Sequence, residues 1–349
     1  MHHHHTSWLQ RTLETIWYKK GKGKWFLLPF TLLYCAIHAF QRWKLTRSRR
    51  SKITIPVIIA GNISIGGTGK TPTVIYLAKL LKNAGYRPAI ISRGYGGNAA
   101  KWPQRVTANS NPEQVGDEAV LIAERTDVPV VVGPDRYVDI LYLRSKYDCN
   151  VIISDDGLQH YRLHRDIEIV LIDTHRQLGN GWCLPAGPLR ESVCRIKEVD
   201  FVLFNNGFKQ NTPRKTLFTQ QYKPKSIYSM QLSGEIIYSL RIKGRSQNVI
   251  DLSGQTIHAV TGIANPDNFY QTLERFGLQL IKHSFADHYD FKSKDLEFYD
   301  NKMVIMTEKD AVKCRRFFPK NCWYLPIEVQ IDAAFDHLLL DKLKRFKHG

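Results

Sequence analysis

The chain has 349 residues, 43% hydrophobic and 23% charged, a composition that leaves room for two domains and excludes wholesale disorder. Its net charge of +18 is uneven: residues 1–52 hold eleven Lys or Arg against one acid, Glu14, so this arm carries ten of the eighteen positive charges. The six cysteines form no CxxC pair and no Cys/His spacing suited to zinc, which excludes a zinc module and points to free thiols in a reducing compartment.

His2 to His5 resemble an appended tag and are set aside. In Thr6–Tyr18, helical spacing puts Trp8, Leu9, Leu13, Ile16 and Trp17 on one face, with Lys19 and Lys20 just beyond. The apolar run at residues 25–40 is shorter than the ~20 residues of a spanning helix. Its more polar members, Thr31, Tyr34, Cys35 and His38, fall along one stripe. Aromatics with a basic rim predict a membrane-associating arm, peripheral on an anionic surface or a single N-terminal anchor, the alternative being a core helix packed on the main domain. A nucleic-acid arm would be polar between its charges, and no small-x-small cleavage site marks a signal peptide.

From Ile53 the pattern alternates. Strands are expected at Val57–Ala60, Ala89–Ser92, Val128–Val132, Val151–Ser154, Ile167–Ile172 and Val199–Phe204, with helices at Thr73–Ala84, Asp117–Arg125 and Pro134–Lys146. Continuous apolar strands separated by helices predict an α/β fold, a P-loop NTPase-like parallel sheet covered on both faces. After the first strand, Ile65 leads into Gly66-Gly67-Thr68-Gly69-Lys70-Thr71-Pro72 and then a helix. Strand, glycine loop and helix in that order form a phosphate-binding loop. Lys70 reaches the outer phosphates of ATP, the Thr71 hydroxyl ligates Mg2+, and Pro72 suits a first helical turn. The general pattern asks for glycine at position 64, where this chain has Ser64.

Ligands in such sheets bind at the carboxyl ends of the strands. Those ends carry Arg93-Gly94-Tyr95-Gly96-Gly97, then Gly116-Asp117-Glu118 opening a helix, then Asp155-Asp156-Gly157-Leu158-Gln159-His160. Arg93 belongs to a flexible turn or is a phosphate or substrate contact. Asp117 is a helix cap or a general base near the nucleotide. Asp155 and Asp156 end an apolar strand as in a Walker B element, where a carboxylate holds magnesium. Asp173 is a weaker candidate for the same place. A Gly/Pro-dense loop over 179–191 ends in Arg190 and Glu191, candidates for phosphate and metal.

Around 208–255 the character changes, and stretches near Ile227–Leu232 and Ile236–Ile242 predict a small antiparallel connector. A second α/β unit follows, with strands Ile257–Val260 and Met303–Met306, Asn265 capping helix Pro266–Phe276, and a closing helix over Asp332–Phe346. The expected organisation is an arm (1–52), a P-loop domain (53–225), and a linker with a smaller α/β domain (226–349).

In order, GNISIGGTGKTP, SRGYGG, GDEA, DDGLQH, LPAGPLRE, VTGIANP, FADHYDF and TEKDAVK resemble the tetraacyldisaccharide 4′-kinase (lipid A 4′-kinase) family of Gram-negative bacteria, over nearly the whole chain after Lys52. That family's P-loop also lacks the first glycine. The resemblance implies phosphoryl transfer from ATP to the 4′-hydroxyl of an acylated glucosamine disaccharide 1-phosphate, giving lipid IVA at the cytoplasmic face of the inner membrane. It implies Lys70 and Thr71 on the phosphates and magnesium, and Asp117 as catalytic acid/base paired with His288 of the second domain. Asp155, Asp156, Gln159 and Glu191 line the metal and phosphate site, with Arg93, His160 and Arg190 supporting. No nucleic-acid partner is expected. The alternatives are a P-loop kinase of a soluble sugar and a membrane-associated P-loop ATPase or GTPase.

Overall fold

The computed structural model describes residues 8–18, 23–48, 53–206, 214–317 and 320–346. The expectations for Thr6, Lys19, Lys20, Lys22, Arg49, Arg50, Lys52 and 209–213, and for the side chains of Trp8 and Leu9, lie outside the described residues.

In chain order the elements are α1 (Trp8–Tyr18), α2 (Lys24–Arg47), β1 (Val57–Gly61), α3 (Lys70–Asn83), β2 (Pro88–Ser92), β3 (Gln104–Val106), α4 (Pro112–Val115), α5 (Asp117–Thr126), β4 (Val130–Val132), α6 (Arg136–Lys146), β5 (Val151–Asp155), β6 (Ile167–Asp173), α7 (Arg195–Glu198) and β7 (Phe201–Asn205). They continue as α8 (Arg214–Tyr222), β8 (Ile227–Ser233), β9 (Ile236–Ser239), β10 (Ser246–Asn248), β11 (Thr256–Thr261), α9 (Pro266–Arg275), β12 (Gln279–Ser284), β13 (Val304–Thr307), α10 (Glu308–Cys314), β14 (Cys322–Leu325), β15 (Glu328–Ile331) and α11 (Ala333–Lys344).

The larger sheet has nine strands in the order β15-β8-β7-β6-β1-β5-β2-β4-β3. It is parallel from β8 to β4, with antiparallel strands β15 and β3 at its edges. Every residue of β1, β5, β6 and β7 is buried, because helices cover both faces and an apolar run has no polar side to spare. Ile58 and Ala60 face the core under α3, α5 and α11, while Val57 and Ile59 face the opposite core with Ile140 and Leu143 of α6. That is the two-residue alternation of a strand. The smaller sheet runs β10-β9-β14-β13-β11-β12, with β14, β13, β11 and β12 parallel.

Three expectations change. The stretches beginning at Ile227 and Ile236 do link the halves, but they do not pair with each other: β8 adds to the large sheet, and β9 pairs with β10 and β14. The chain then returns, since β15 pairs with β8 and α11 buries Phe335, Leu339 and Leu343 in the large core. Residues 227–233 and 328–344 therefore pack with the P-loop half, beyond the boundary drawn at 225. Asn265 stands at the N-cap of α9, but its side chain makes no capping hydrogen bond.

Helix α2 lies on the large half with an inverted polarity. Its polar stripe faces the protein: Thr31 is fully buried, its Oγ1 donating to Cys183 O (3.3 Å) and accepting from Ala186 N (3.0 Å). Tyr34 Oη donates to Arg190 O at 2.9 Å, and the His38 ring meets Tyr161 edge-on at 5.8 Å. Trp17 of α1 donates its indole N–H to Pro185 O at 2.9 Å. The opposite face exposes Trp25, Phe26, Phe30, Leu33, Ile37 and Phe40, with Phe26 at 86%. Among the described residues no helix is long and apolar enough to cross a membrane.

Candidate active site

The glycine loop follows β1, and its Lys70 begins α3. Gly66 and Gly69 have φ of 115° and 89°, the left-handed region that glycine enters without steric cost. A Cβ on Gly69 would stand 2.9 Å from Asn205 Nδ2 and 3.0 Å from Met230 Cε. Ser64 needs no such freedom. It makes a β-bridge to Leu189, and Ile65 N donates to Pro188 O at 2.9 Å. The missing glycine is thus a point where the loop is stitched to LPAGPLRE. Lys70 Nζ donates to Asn62 Oδ1 at 3.2 Å and lies 3.4 Å from Asp156 Oδ1. Thr71 and Pro72 occupy the first turn of α3, partly exposed.

Asp155 and Asp156 end β5 beside this loop, as the strand pattern requires, and they differ. Asp156 has a φ of 47° and turns to Lys70 and to Arg190 Nη1, at 3.2 Å. Burial opposes its charge, but Lys70 and Arg190 hold its carboxyl below the usual range. Asp155 is buried; Ser92 Oγ donates to its Oδ2 at 3.0 Å, while Oδ1 has no hydrogen-bond partner. Burial, with Glu118 and Asp156 nearby, pushes it up to about 7. A buried carboxylate oxygen without a donor is short of positive charge. Magnesium takes one or two carboxylates together with phosphate oxygens, so Asp155, Asp156 and the Thr71 hydroxyl fit that ion. Among the described residues no three His, Cys, Asp or Glu side chains converge as a metal cage.

Glu191, expected at the metal and phosphate site, is held by protein donors. It is 2% exposed, and Gln159 Nε2 donates to its Oε1 at 2.6 Å. Tyr161 Oη donates to Oε2, and Arg195 Nε lies 3.3 Å from the same oxygen. With both oxygens engaged by protein donors, this carboxylate clamps the loop. Gln159 also donates to Asn62 O at 3.3 Å, tying that clamp to the phosphate loop. His160 is half-buried, its imidazole lowered to about 4 by burial and then Arg136. Arg93 is exposed on the glycine loop after β2. Asp173 accepts from His175 N and Arg176 N, closing a turn.

The second half supplies the opposite wall. Asp117 opens α5 behind the N-cap Gly116; it is 4% exposed, with Oδ1 accepting from Glu118 N at 2.8 Å. Its Oδ2 lies 3.1 Å from Nδ1 of His288, in the loop after β12. His288 has a φ of 59°, and its ring sits 5.2 Å from that of Tyr95. Burial would raise the Asp117 carboxyl, but the hydrogen bond from His288 and the charges of Lys309, His288 and Lys313 hold it below its ordinary value. The Asp117 hydrogen bond raises the imidazole against burial.

Sequence reasoning left Glu118, Arg136 and Ser92 without roles, and placed Lys309 only in a strand-end segment facing the same cleft. Lys309 Nζ lies 3.0 Å from Glu118 Oε1, 3.4 Å from Asp287 Oδ1 and 3.3 Å from His288 Nε2. Its position after β13 was the available signal. Glu308 and Asp310 beside it are structural: Glu308 pairs with Arg125 at 2.7 Å, and Asp310 accepts from Gly262 N at 2.8 Å. Buried Arg136 donates to Gly133 O at 2.8 Å, and its charge is felt at His160.

Strand-end carboxylates beside a phosphate loop, faced by a carboxylate–imidazole pair from two halves, are the parts of a phosphotransfer site. The sequence profile of tetraacyldisaccharide-1-P 4'-kinase matches residues 23–344. The chain belongs to this kinase family. It is 43% identical over 331 residues to the tetraacyldisaccharide 4'-kinase of Nitrosococcus oceani, covering 94% of this chain and 93% of that one. The enzyme of that name from Methylobacillus flagellatus is 44% identical over 338 residues, covering 96% of each. The crystal structure of LpxK from Aquifex aeolicus in complex with ATP superposes with a TM-score of 0.74 at 29% identity, covering 92% of this chain and 99% of that one. The family's architecture, a P-loop sheet with a smaller α/β unit, is the one built here.

Proposed function

We propose that this kinase transfers the γ-phosphoryl group of ATP to the 4′-hydroxyl of a tetraacylated glucosamine disaccharide 1-phosphate, at the cytoplasmic face of a bacterial inner membrane. The observation that supports the reading is the Asp117–His288 contact of 3.1 Å, a carboxylate–imidazole pair that bridges the two halves. Phosphoryl transfer depends on positioning and charge neutralisation more than on covalent help. The loop amides and Lys70 hold the phosphates, and Asp117, kept ionised, accepts the sugar hydroxyl proton. Because His288 comes from the second half, the proton acceptor is fully oriented only when the cleft is closed, which excludes water. Thr71, Asp155 and Asp156 would hold magnesium, which supplies charge neutralisation on the outer phosphates.

The membrane part of this reading rests on α2. A helix that buries Thr31, Tyr34 and His38 against the protein and exposes Phe26, Phe30, Leu33 and Ile37 has an apolar face suited to lipid. It is latched to the loop that carries Arg190, so a docked helix would hold the cleft close to the headgroups. The test supplies γ-labelled ATP, magnesium and tetraacyldisaccharide 1-phosphate in mixed micelles. Label is expected in the lipid; a folded, ATP-binding protein that transfers none would overturn the proposal.

A further inference from the structure

Lys309 is the one cation that touches the imidazole of His288 among the described contacts, and it does so on the edge away from Asp117. Its Nζ has three acceptors around it: Glu118 Oε1 at 3.0 Å, Asp287 Oδ1 at 3.4 Å and His288 Nε2 at 3.3 Å. An ammonium carries three protons and no lone pair, so it can only donate. Three acceptors for three protons leave one assignment: Nε2 of His288 bears the lone pair, and the ring proton is on Nδ1, facing Asp117 Oδ2 at 3.1 Å. Burial works against the Lys309 charge, but Glu118, Asp117 and Asp287 hold its ammonium well above the ordinary range, so it stays a donor.

We infer that Lys309 is a positioning residue for the phosphotransfer reaction, fixing His288 in the neutral Nδ1–H tautomer so that its one proton is always donated to Asp117. This deepens the proposed function and rests on that reading. The tautomer of a histidine is set by whatever bonds its other nitrogen. Here that partner sits at the start of α10, whose Lys309 also holds Glu118 at the start of α5. One side chain thus joins the two halves and orients the general base. An imidazolium would need a second proton on Nε2, pointed at the ammonium; the Asp117 hydrogen bond gives the imidazole a net rise, and Lys309, with burial, is what works against it. The groups facing the ring are Asp117 and Glu118 of α5, Tyr95 of the glycine loop, Asp287 of its own loop, and Lys309 and Lys313 of α10.

The test reads the tautomer directly, by nitrogen NMR of imidazole-labelled protein without substrate, with the His288 signals assigned by their loss in His288→Asn. The wild type is expected to show a protonated Nδ1 and an unprotonated Nε2; a protonated Nε2 at neutral pH overturns the inference even if the kinase is active. In Lys309→Met the His288 pKa should rise, the acid limb of kcat/KM should move to higher pH, and kcat should fall roughly 10- to 100-fold at unchanged KM for ATP, up to the lower limit of the effect of a general base itself. Unchanged nitrogen shifts and pH profile in Lys309→Met would assign the residue a purely structural role. Lys309→Arg, another donor without an acceptor, should keep the Nδ1–H tautomer and guards against misfolding of the Met variant. Because the NMR readout needs no lipid acceptor, it stands even if transfer to the disaccharide is never seen.

Discussion

Asp117 Oδ2 and His288 Nδ1 lie 3.1 Å apart, although 171 residues separate them in the chain. One opens α5 on the P-loop half, and the other follows β12 in the smaller half. The pair is reinforced by a row of ion pairs between α5 and α10: Glu118–Lys309 at 3.0 Å, Arg125–Glu308 at 2.7 Å, and Arg315, just past α10, with Glu124 at 2.6 Å. The proposed general base is therefore assembled by the same contacts that dock the two halves.

Asp117→Asn and His288→Ala should each lower kcat by about 10² to 10⁴, the usual worth of a positioned base, while nucleotide affinity stays near wild type. Steady-state rates and an ATP titration on the same preparation separate the two effects. A rate close to wild type in either variant would remove that residue from the chemistry.

Asp155→Asn should inactivate the enzyme and stabilise the metal-free protein. Burial pushes this carboxyl up to about 7, above its unfolded value of about 3.9. A group raised by folding contributes its full stability below the unfolded value and loses it as pH rises through the folded one. The parent should thus weaken between roughly pH 4 and pH 7 relative to the variant. The gain at neutral pH should be on the order of 1–3 kcal/mol, the range for relieving an unsatisfied buried polar group. Melts across that range check it; equal pH profiles would show that Oδ1 is satisfied after all.

Gly69→Ala places a Cβ at a φ of 89° and within 3.0 Å of the Asn205 and Met230 side chains. The backbone strain alone costs about 1–3 kcal/mol, and Asn205 Nδ2, which donates to Thr68 O at 3.0 Å, would be displaced. Chemical denaturation should show that loss, and ATP binding should weaken sharply. Gly67→Ala is the control, since a Cβ there meets nothing within 4 Å.

Replacing Phe26, Phe30 and Leu33 by serine should release the protein from anionic vesicles without lowering its melting temperature. These side chains are 86%, 63% and 60% exposed, so the fold loses little, whereas burying each in lipid is worth about 1.5–3 kcal/mol. Thr31→Val should do the opposite. It breaks the hydrogen bonds to Cys183 O and Ala186 N and should destabilise the arm's seating on the protein. Unaltered sedimentation of the triple variant would place the lipid contact elsewhere.

Local patterns carried the sequence reading far. The β1–loop–α3 unit, the apolar strands β5, β6 and β7, and Asp155-Asp156 at a strand end are written in contiguous residues. Their physics is local: an apolar run needs two covered faces, and a phosphate loop needs left-handed glycines ahead of a helix. The stripe of Thr31, Tyr34, Cys35 and His38 was equally visible, but not the direction it faces. A helix's polar side normally meets water, and only packing against residues 183–190 turned it inward. The same holds for Glu191, whose type suits metal but whose neighbours Gln159, Tyr161 and Arg195 satisfy it. Strand β12, exposed at Gln279 and Lys282, half-buried elsewhere and lacking a clean alternation, had no signal strong enough to read. The sequence by itself determined the chemistry available: a phosphate loop, a pair of strand-end carboxylates, a basic aromatic arm and a family. Only the tertiary structure decided which groups meet: that β8 and β15 join the large sheet, that Asp117 finds His288, and that Lys309 closes the far side of that ring. Pairings between residues so far apart in the chain are set by packing and charge in three dimensions, which no local spacing encodes.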